Sequence, residues 1–222
     1  MIKIEHAKSY GWEGAVRGMR NPMNSWEKGD SGWEWDCNVE PTFVVGHNDL
    51  TLMQKLVKAG TDHSKFMRQI VVSMDITAPL YWWKEFDTYK VGTVANSCST
   101  MHKIHDKKFA LDDFSHEHLM TDSFYLLRRT VDILNEWRDA YLECTVSQFA
   151  TAEEARTLKK ELWWQMIQLL PSSYNQLRTV TLSYAVLRNM YFARKDHKLD
   201  EWRDFCKRIE ELPYAKELIC YG

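Results

Sequence analysis

Residues 70–79, Ile-Val-Val-Ser-Met-Asp-Ile-Thr-Ala-Pro, constrain the fold more than any other stretch. Arg68 to Ile76 is rich in β-branched residues and half alternating, which predicts a strand. Pro79 just beyond it has no backbone N–H with which to continue a ladder. The segment from Trp82 to Thr100 is more polar and weakly periodic, and it ends in the small residues Ser97-Cys98-Ser99-Thr100. It reads as a helix followed by a loop.

Other strand signals also come early. Ile2-Lys3-Ile4 alternates, and Glu40 to Val45 reads as a short strand. Between them, residues 11–39 mix Gly, Asn, Ser and Pro with Trp12, Trp26, Trp33 and Trp35. That mixture predicts an ordered loop packed by its own rings, an elaboration on the main fold. Asp49 is placed to cap a helix carrying Leu50, Met53 and Val57, with Gly60 at its C-terminal stop. Residues 102–118 are polar and His-rich and predict a surface excursion.

Helix signals dominate the second half. Phe124, Leu127, Val131, Leu134 and Tyr141 recur at helical spacing. Thr151 and Glu154 form a capping box, in which each side chain satisfies the other's backbone donor. That helix carries Leu158, Leu162 and Ile167, and Pro171 ends it. A third stripe, Leu177, Val180, Tyr184, Leu187 and Tyr191, predicts another helix, and Trp202, Cys206 and Ile209 a last one. Strands gathered early and helices late predict a single α+β domain over 1–222.

The formal charge of −2 gives no global basic field for nucleic acid. No apolar run approaches the ~20 residues needed to span a bilayer, and the N-terminus has no apolar signal region. The five cysteines, Cys37, Cys98, Cys144, Cys206 and Cys220, are widely spaced with no C-x-x-C pair. They predict neither a zinc site nor a disulfide framework, and a reducing cytoplasm is the expected setting. His102-x-x-His105 and His116-x-His118 lack an acidic or Cys ligand at a known spacing, so no metal is expected.

The order of these features resembles the flavin-dependent thymidylate synthases. In that family a strand leads through a proline into R-Q and then R-H-R-x-x-S-x-N-E-x-S-x-R-Y. Counted from Pro79, R-Q corresponds to Lys84-Glu85, R-H-R to Thr88-Tyr89-Lys90, and the first Ser to Thr93. N-E-x-S falls on Ala95 to Cys98 or, with one residue inserted, brings Asn96 and Ser99 into register. R-Y becomes Thr100-Met101. Leu170-Pro171 followed by helix, Arg194 and His197 is similar to the family's Leu-Pro, F-x-x-x-R and His. Glu154-Ala155-Arg156 resembles an E-x-A-R upstream. His63 stands where the family places a flavin-contacting His, and Ser183 where it places a flavin-contacting Asn. The resemblance covers roughly residues 40 to 215.

What the resemblance implies is a nucleotide site at Lys84, Glu85, Asn96, Cys98, Ser99 and Arg194, and a flavin site at His63, Tyr89, Lys90, Thr93, Ser183 and His197. It implies FAD as cofactor, with NADPH and methylenetetrahydrofolate as substrates. The acceptor would be a pyrimidine nucleotide of the deoxyuridylate type, and the assembly a homotetramer. The replaced residues point elsewhere. Thr88 and Thr100 remove two fixed charges whose guanidinium forks Lys cannot reproduce. Lys84, Lys90 and Arg194 remain as cations for a phosphorylated ligand. On the fold the resemblance implies, a mostly antiparallel sheet with long C-terminal helices, a catalytic flavoenzyme, a non-catalytic nucleotide binder and a structural oligomer with a vestigial pocket therefore all stand. Arg194 is the leading site residue, because it shares the Tyr184, Leu187 and Tyr191 stripe and a charge on that face needs a partner or ligand.

Overall fold

The computed structural model of the chain describes residues 2–35, 40–148 and 151–221. They fall into two compact units. One is built from Thr77–Phe86 and Ser97–Arg178, the other from Ile2–Ile76, Asp87–Asn96 and the segment from Thr179 onward.

The larger unit holds most of a four-stranded sheet of β1 (Lys3–Tyr10), β4 (Val71–Pro79), β6 (Asn175–Ser183) and β5 (Thr93–Ser97), in the order β1-β4-β6-β5. Residue numbers run oppositely on neighbours, as an antiparallel sheet requires. His6 faces Asp75 while Gly11 meets Gln69, and Ile70 O accepts from Tyr184 N at 2.9 Å. The alternation of β4 is strict. Val72, Met74 and Ile76 are buried, and the residues between them are half-exposed, so one face of the strand is core. A separate antiparallel ribbon pairs β2 (Gly32–Glu34) with β3 (Thr42–Val44).

Helices α1 (Trp12–Arg20), α2 (His47–Lys58), α6 (Tyr184–Arg194), α7 (Asp200–Glu210) and the short α8 (Ala215–Leu218) belong to the same unit. Helix α1 corrects the loop expected over 11–39, of which residues 36–39 lie outside the described residues. Trp12, Ala15, Val16 and Met19 are all buried, at the i, i+3, i+4, i+7 spacing of a helix face. The glycines among them masked that stripe. Trp12 then packs edge-on to Tyr184 and Tyr214, with centroids 5.1 and 5.3 Å away.

The cap expected at Asp49 is also corrected. Asp30 reaches the first turn of α2, accepting from Asn48 N at 2.8 Å and Asp49 N at 3.0 Å. Asp49 turns inward instead. It accepts from Arg20 Nε at 2.6 Å, Asp30 N at 2.9 Å, Ser31 N at 3.0 Å and Ser31 Oγ at 2.6 Å. Burial pushes its carboxyl up, but the donors from Ser31, Arg20 and Asp30 outweigh that and hold it below the usual range.

The smaller unit is built on α4 (Thr121–Glu143) and α5 (Ala152–Leu169), which pack along each other. Leu127, Val131 and Leu134 of α4 meet Met166 of α5 in a core completed by Ile104, Phe109 and Phe114. The capping box at Thr151 and Glu154 forms as the sequence predicts. The excursion expected over 102–118 is corrected, because its apolar residues are core. Asn135 clamps Phe109 through both backbone groups, at 2.9 and 3.0 Å. Arg138 Nε donates to His105 O at 2.9 Å, and Trp163 Nε1 to Met101 O at 2.8 Å. Helix α3 (Leu80–Phe86) buries Trp82, Trp83 and Phe86.

Two further expectations change. The residues after α3 hold strand β5 rather than loop throughout. The helix expected from Leu177 begins only at Tyr184. Leu177 and Val180 lie on β6, where Gln176, Val180 and Leu182 are buried at even intervals. The spacing from 177 to 191 satisfied a helical template by coincidence. Among the described residues, no helix is long and apolar enough to cross a membrane.

Candidate functional site

The most developed cluster of predicted residues forms at the C-terminal end of α6. Ser183 caps this helix, accepting from Val186 N at 3.4 Å, and Tyr184, Leu187 and Met190 bury one stripe. Arg194 extends that stripe to the helix end, where Lys195 N and His197 N close on Tyr191 O and Arg194 O. The chain turns there into α7, which carries Trp202 into the core at 0% exposure.

Arg194 is half-buried between two rings. Its Nε donates to the Tyr89 hydroxyl at 2.9 Å. Its guanidinium carbon lies 4.9 Å from the Trp202 ring and 5.6 Å from the Tyr89 ring. Tyr89 and Trp202 meet edge-on at 6.0 Å, and His197 meets Trp202 at 6.3 Å. The planar, weakly hydrated guanidinium suits such stacking, and an aromatic face attracts it further. A guanidinium held this way is oriented in advance for a phosphate or carboxylate fork.

His197 is fixed through its backbone and its ring. Arg203 Nη1 donates to its carbonyl at 2.6 Å, and Leu199 N donates to its Nδ1 at 3.2 Å. With Nδ1 accepting, the neutral ring carries its proton on Nε2.

Of the predicted flavin-site residues, the structure thus joins Tyr89 and His197 to Arg194. Lys90 follows Tyr89 and is exposed, with no carboxylate at ion-pair distance among the described residues. Thr93 Oγ1 is buried with no hydrogen-bond partner among the described residues. The Ser183 hydroxyl serves as the cap just described. His63 is exposed in the turn after α2, where its N–H bonds Gly60 O at 3.1 Å. No contact joins its ring to the Arg194 group among the described residues. Asn96 is exposed on β5.

The other predicted nucleotide residues lie in the smaller unit. Lys84 is exposed and Glu85 half-buried on α3. Cys98 is exposed, its N–H bonded to Leu177 O at 2.9 Å, and its carbonyl accepts from Gln176 Nε2 at 2.8 Å. Ser99 Oγ accepts from His102 N at 2.9 Å and Met101 N at 3.3 Å, closing a turn. Arg178 Nε donates to Gln176 Oε1 at 3.0 Å, and its guanidinium carbon sits 4.2 Å over Trp83.

Sequence reasoning did not single out Trp202, Gln176 or Arg178 as neighbours of the predicted residues. Trp202 was legible only as core. Arg178 had one available signal, a charge inside the alternating apolar run of β6. The cysteines of α7 and the C-terminus offer no ready nucleophile: burial pushes the Cys206 thiol up to about 12 and raises Cys220 as well. Among the described residues, no three His, Cys, Asp or Glu side chains converge as metal ligands.

No protein-family model matches the sequence, and no curated protein compared with it does. The fold has close structural counterparts. A crystal structure of thymidylate synthase X (ThyX) from Helicobacter pylori with FAD and dUMP superposes with a TM-score of 0.60 at 15% identity, over 98% of this chain and 96% of that one. A second crystal structure of flavin-dependent thymidylate synthase ThyX from Helicobacter pylori, complexed with FAD and dUMP, gives 0.62 at 15% identity, over 98% and 97%. The chain therefore has the fold of the flavin-dependent thymidylate synthases, as the motif resemblance implies.

Proposed function

We propose that the chain is a nucleotide-binding protein on this fold, taking a deoxyuridylate-type pyrimidine nucleotide with FAD as cofactor. The observation that carries the reading is Arg194, held by Tyr89 and Trp202 at the end of α6. Its guanidinium engages the nucleotide phosphate, with Lys90 adding charge from the same unit. The fit to a flavin nucleotide rests on the same group, where flat aromatic rings and a fixed cation suit a stacked ring and a phosphate. His197 packs its ring against Trp202 at the edge of the same stack. FAD, when bound, supplies hydride transfer from NADPH, and methylenetetrahydrofolate supplies the one-carbon unit for the pyrimidine. The crystallised ThyX proteins that share the fold carry FAD and dUMP. A cytoplasmic homotetramer is part of the proposal, and light scattering should give about four times the 26.3 kDa chain mass.

A second reading, nucleotide binding without catalysis, is favoured by a specific observation. Thr88 and Thr100 stand where the resembling signature carries arginines, and a threonine hydroxyl offers neither the charge nor the fork of a guanidinium. Two charge-assisted hydrogen bonds at roughly 1.5–3 kcal/mol each are missing from any dinucleotide complex.

The experiment that separates the readings is the visible absorbance spectrum after FAD is added and the excess removed, paired with calorimetry against dUMP. Retained flavin bands together with dUMP binding support the flavoenzyme. dUMP binding to a protein that stays colourless supports the binder. Absence of both sinks the nucleotide proposal.

A further inference from the structure

The stripe Arg156, Lys159, Lys160 and Trp163 runs along α5 at i, i+3, i+4, i+7, so all four side chains share one helix face. They line an open surface cleft of about 350 Å³ in the smaller unit, a volume within the range of small-molecule sites. Across it stand Tyr141 of α4 and the segment that carries His102 and His105.

The walls are fixed. Trp163 Nε1 ties α5 to Met101 O, and Arg138 ties α4 to His105 O, at 2.8 and 2.9 Å. The His105 ring packs on Tyr141 with centroids 4.5 Å apart, and Lys159 Nζ lies 4.8 Å over the same Tyr141 ring.

The charges are not balanced from within. Like charges three and four residues apart on a helix repel, yet none of Arg156, Lys159 and Lys160 has a carboxylate at ion-pair distance among the described residues. Asp106, on the facing segment, pairs with Lys103 at 3.0 Å and approaches His105 Nε2 at 3.4 Å. Glu154 is occupied by the Thr151 cap. Among the described residues, His105 Nδ1 is buried with no hydrogen-bond partner, an unmet polar group of the kind a ligand or water satisfies. Three uncompensated cations beside two histidines and two aromatic rings make a site for anionic oxygens.

We infer that this cleft is a phosphate-binding site for a phosphorylated small molecule, separate from the Arg194 group. Its two lysines and two histidines stand outside every motif of the signature, and its residues all belong to the smaller unit, whereas Arg194 belongs to the larger. The inference therefore does not depend on the nucleotide assignment at Arg194. The shared chemistry is the phosphate group; the geometry favours a free small molecule because the three cations converge on one cleft rather than tracking along a backbone.

The test is calorimetry at low ionic strength with inorganic pyrophosphate and ADP, and with a single-stranded DNA oligomer as the contrasting source of phosphate. Wild-type protein is expected to bind pyrophosphate and ADP, and Lys160→Gln and Arg156→Gln each to weaken binding by about 10-fold or more. Both residues are exposed, so circular dichroism should show an unchanged fold. Repeating the Lys160→Gln comparison in an Arg194→Ala background takes the α6 site out of the titration, and the same loss of pyrophosphate binding there separates failure at this cleft from failure at the α6 site. The inference is overturned if wild type binds neither probe, if the glutamine variants bind as wild type does, or if the oligomer binds far more tightly than ADP.

Discussion

Arg194 lies over the face of Trp202 with its guanidinium carbon 4.9 Å from the ring, and the same guanidinium donates from Nε to the Tyr89 hydroxyl at 2.9 Å. Stacking fixes the plane of the guanidinium and the hydrogen bond fixes its rotation within that plane. Arg194→Ala should therefore weaken dUMP binding by about 10- to 150-fold, the equivalent of one lost charge-assisted contact of roughly 1.5–3 kcal/mol. Arg194→Lys should restore little, because an ammonium neither stacks as a plane nor forks. Calorimetry against dUMP reads the affinity, and a wild-type affinity in either variant would remove Arg194 from the site. Tyr89→Phe should cost less, since it loses the alignment and keeps the charge.

A buried ion pair holds the N-terminal half of the larger unit together. The side chains of Arg20 and Asp49 are 5% and 0% exposed, and replacing either partner leaves the other charged and desolvated. Asp49→Ala should destabilise the fold by roughly 3–5 kcal/mol, read as a lower urea midpoint. The pH dependence has a definite sign. The folded carboxyl titrates below its unfolded value, so its contribution is complete above the unfolded pKa of about 3.9. It is lost as pH falls through the folded value. The stability gap between wild type and variant should thus be flat from neutral pH to mild acid and close in strong acid. A gap that widened in acid would contradict the assignment.

Legibility in the sequence followed the distance over which each signal acts. The Thr151–Glu154 box and the Leu127–Val131–Leu134 stripe are local patterns that form as read, and the strand read over Arg68 to Ile76 forms from Val71 onward, after a helical turn that ends at Arg68. Arg194 was readable because its own helix supplies the stripe. Its neighbours were not, since Tyr89 stands 105 residues away in the chain. The acid before α2 was misassigned for the same reason. Asp49 has the local position of a capping residue, but Arg20 and Ser31, remote in sequence, draw its carboxylate inward and Asp30 takes the helix end. Helix α1 was hidden by glycines that lower helix propensity yet leave the buried stripe intact.

The start of α5 offers a smaller and more local test. Thr151 Oγ1 accepts from Glu154 N and Glu154 returns the bond to Thr151 N, both at 3.2 Å. Thr151→Ala removes one half of the exchange and should cost about 1 kcal/mol. Thr151→Ser should cost much less. Equal midpoints for Ala and wild type in urea denaturation would show that the box contributes nothing to folding.

Two glycines of the same segment should respond in opposite directions to one substitution. Gly11 precedes α1 with φ +85°, and a Cβ there would stand 2.2 Å from the Gln69 carbonyl oxygen. Both the left-handed backbone and the contact with main chain forbid a side chain, since neither can be relieved by turning a rotamer. Gly11→Ala should lose more than the ~1–2 kcal/mol of the backbone conformation alone. Gly14 lies inside α1, and a Cβ built on it meets nothing within 4 Å. Gly14→Ala removes only the entropy that a helical glycine loses on folding, and should gain roughly 0.5–1 kcal/mol. Urea midpoints of the two variants, measured beside wild type, should therefore fall on either side of it. Loss of stability at Gly14 would mean that the exposed side of α1 is covered by something beyond this chain, for which a subunit contact in the proposed tetramer is the first candidate to examine.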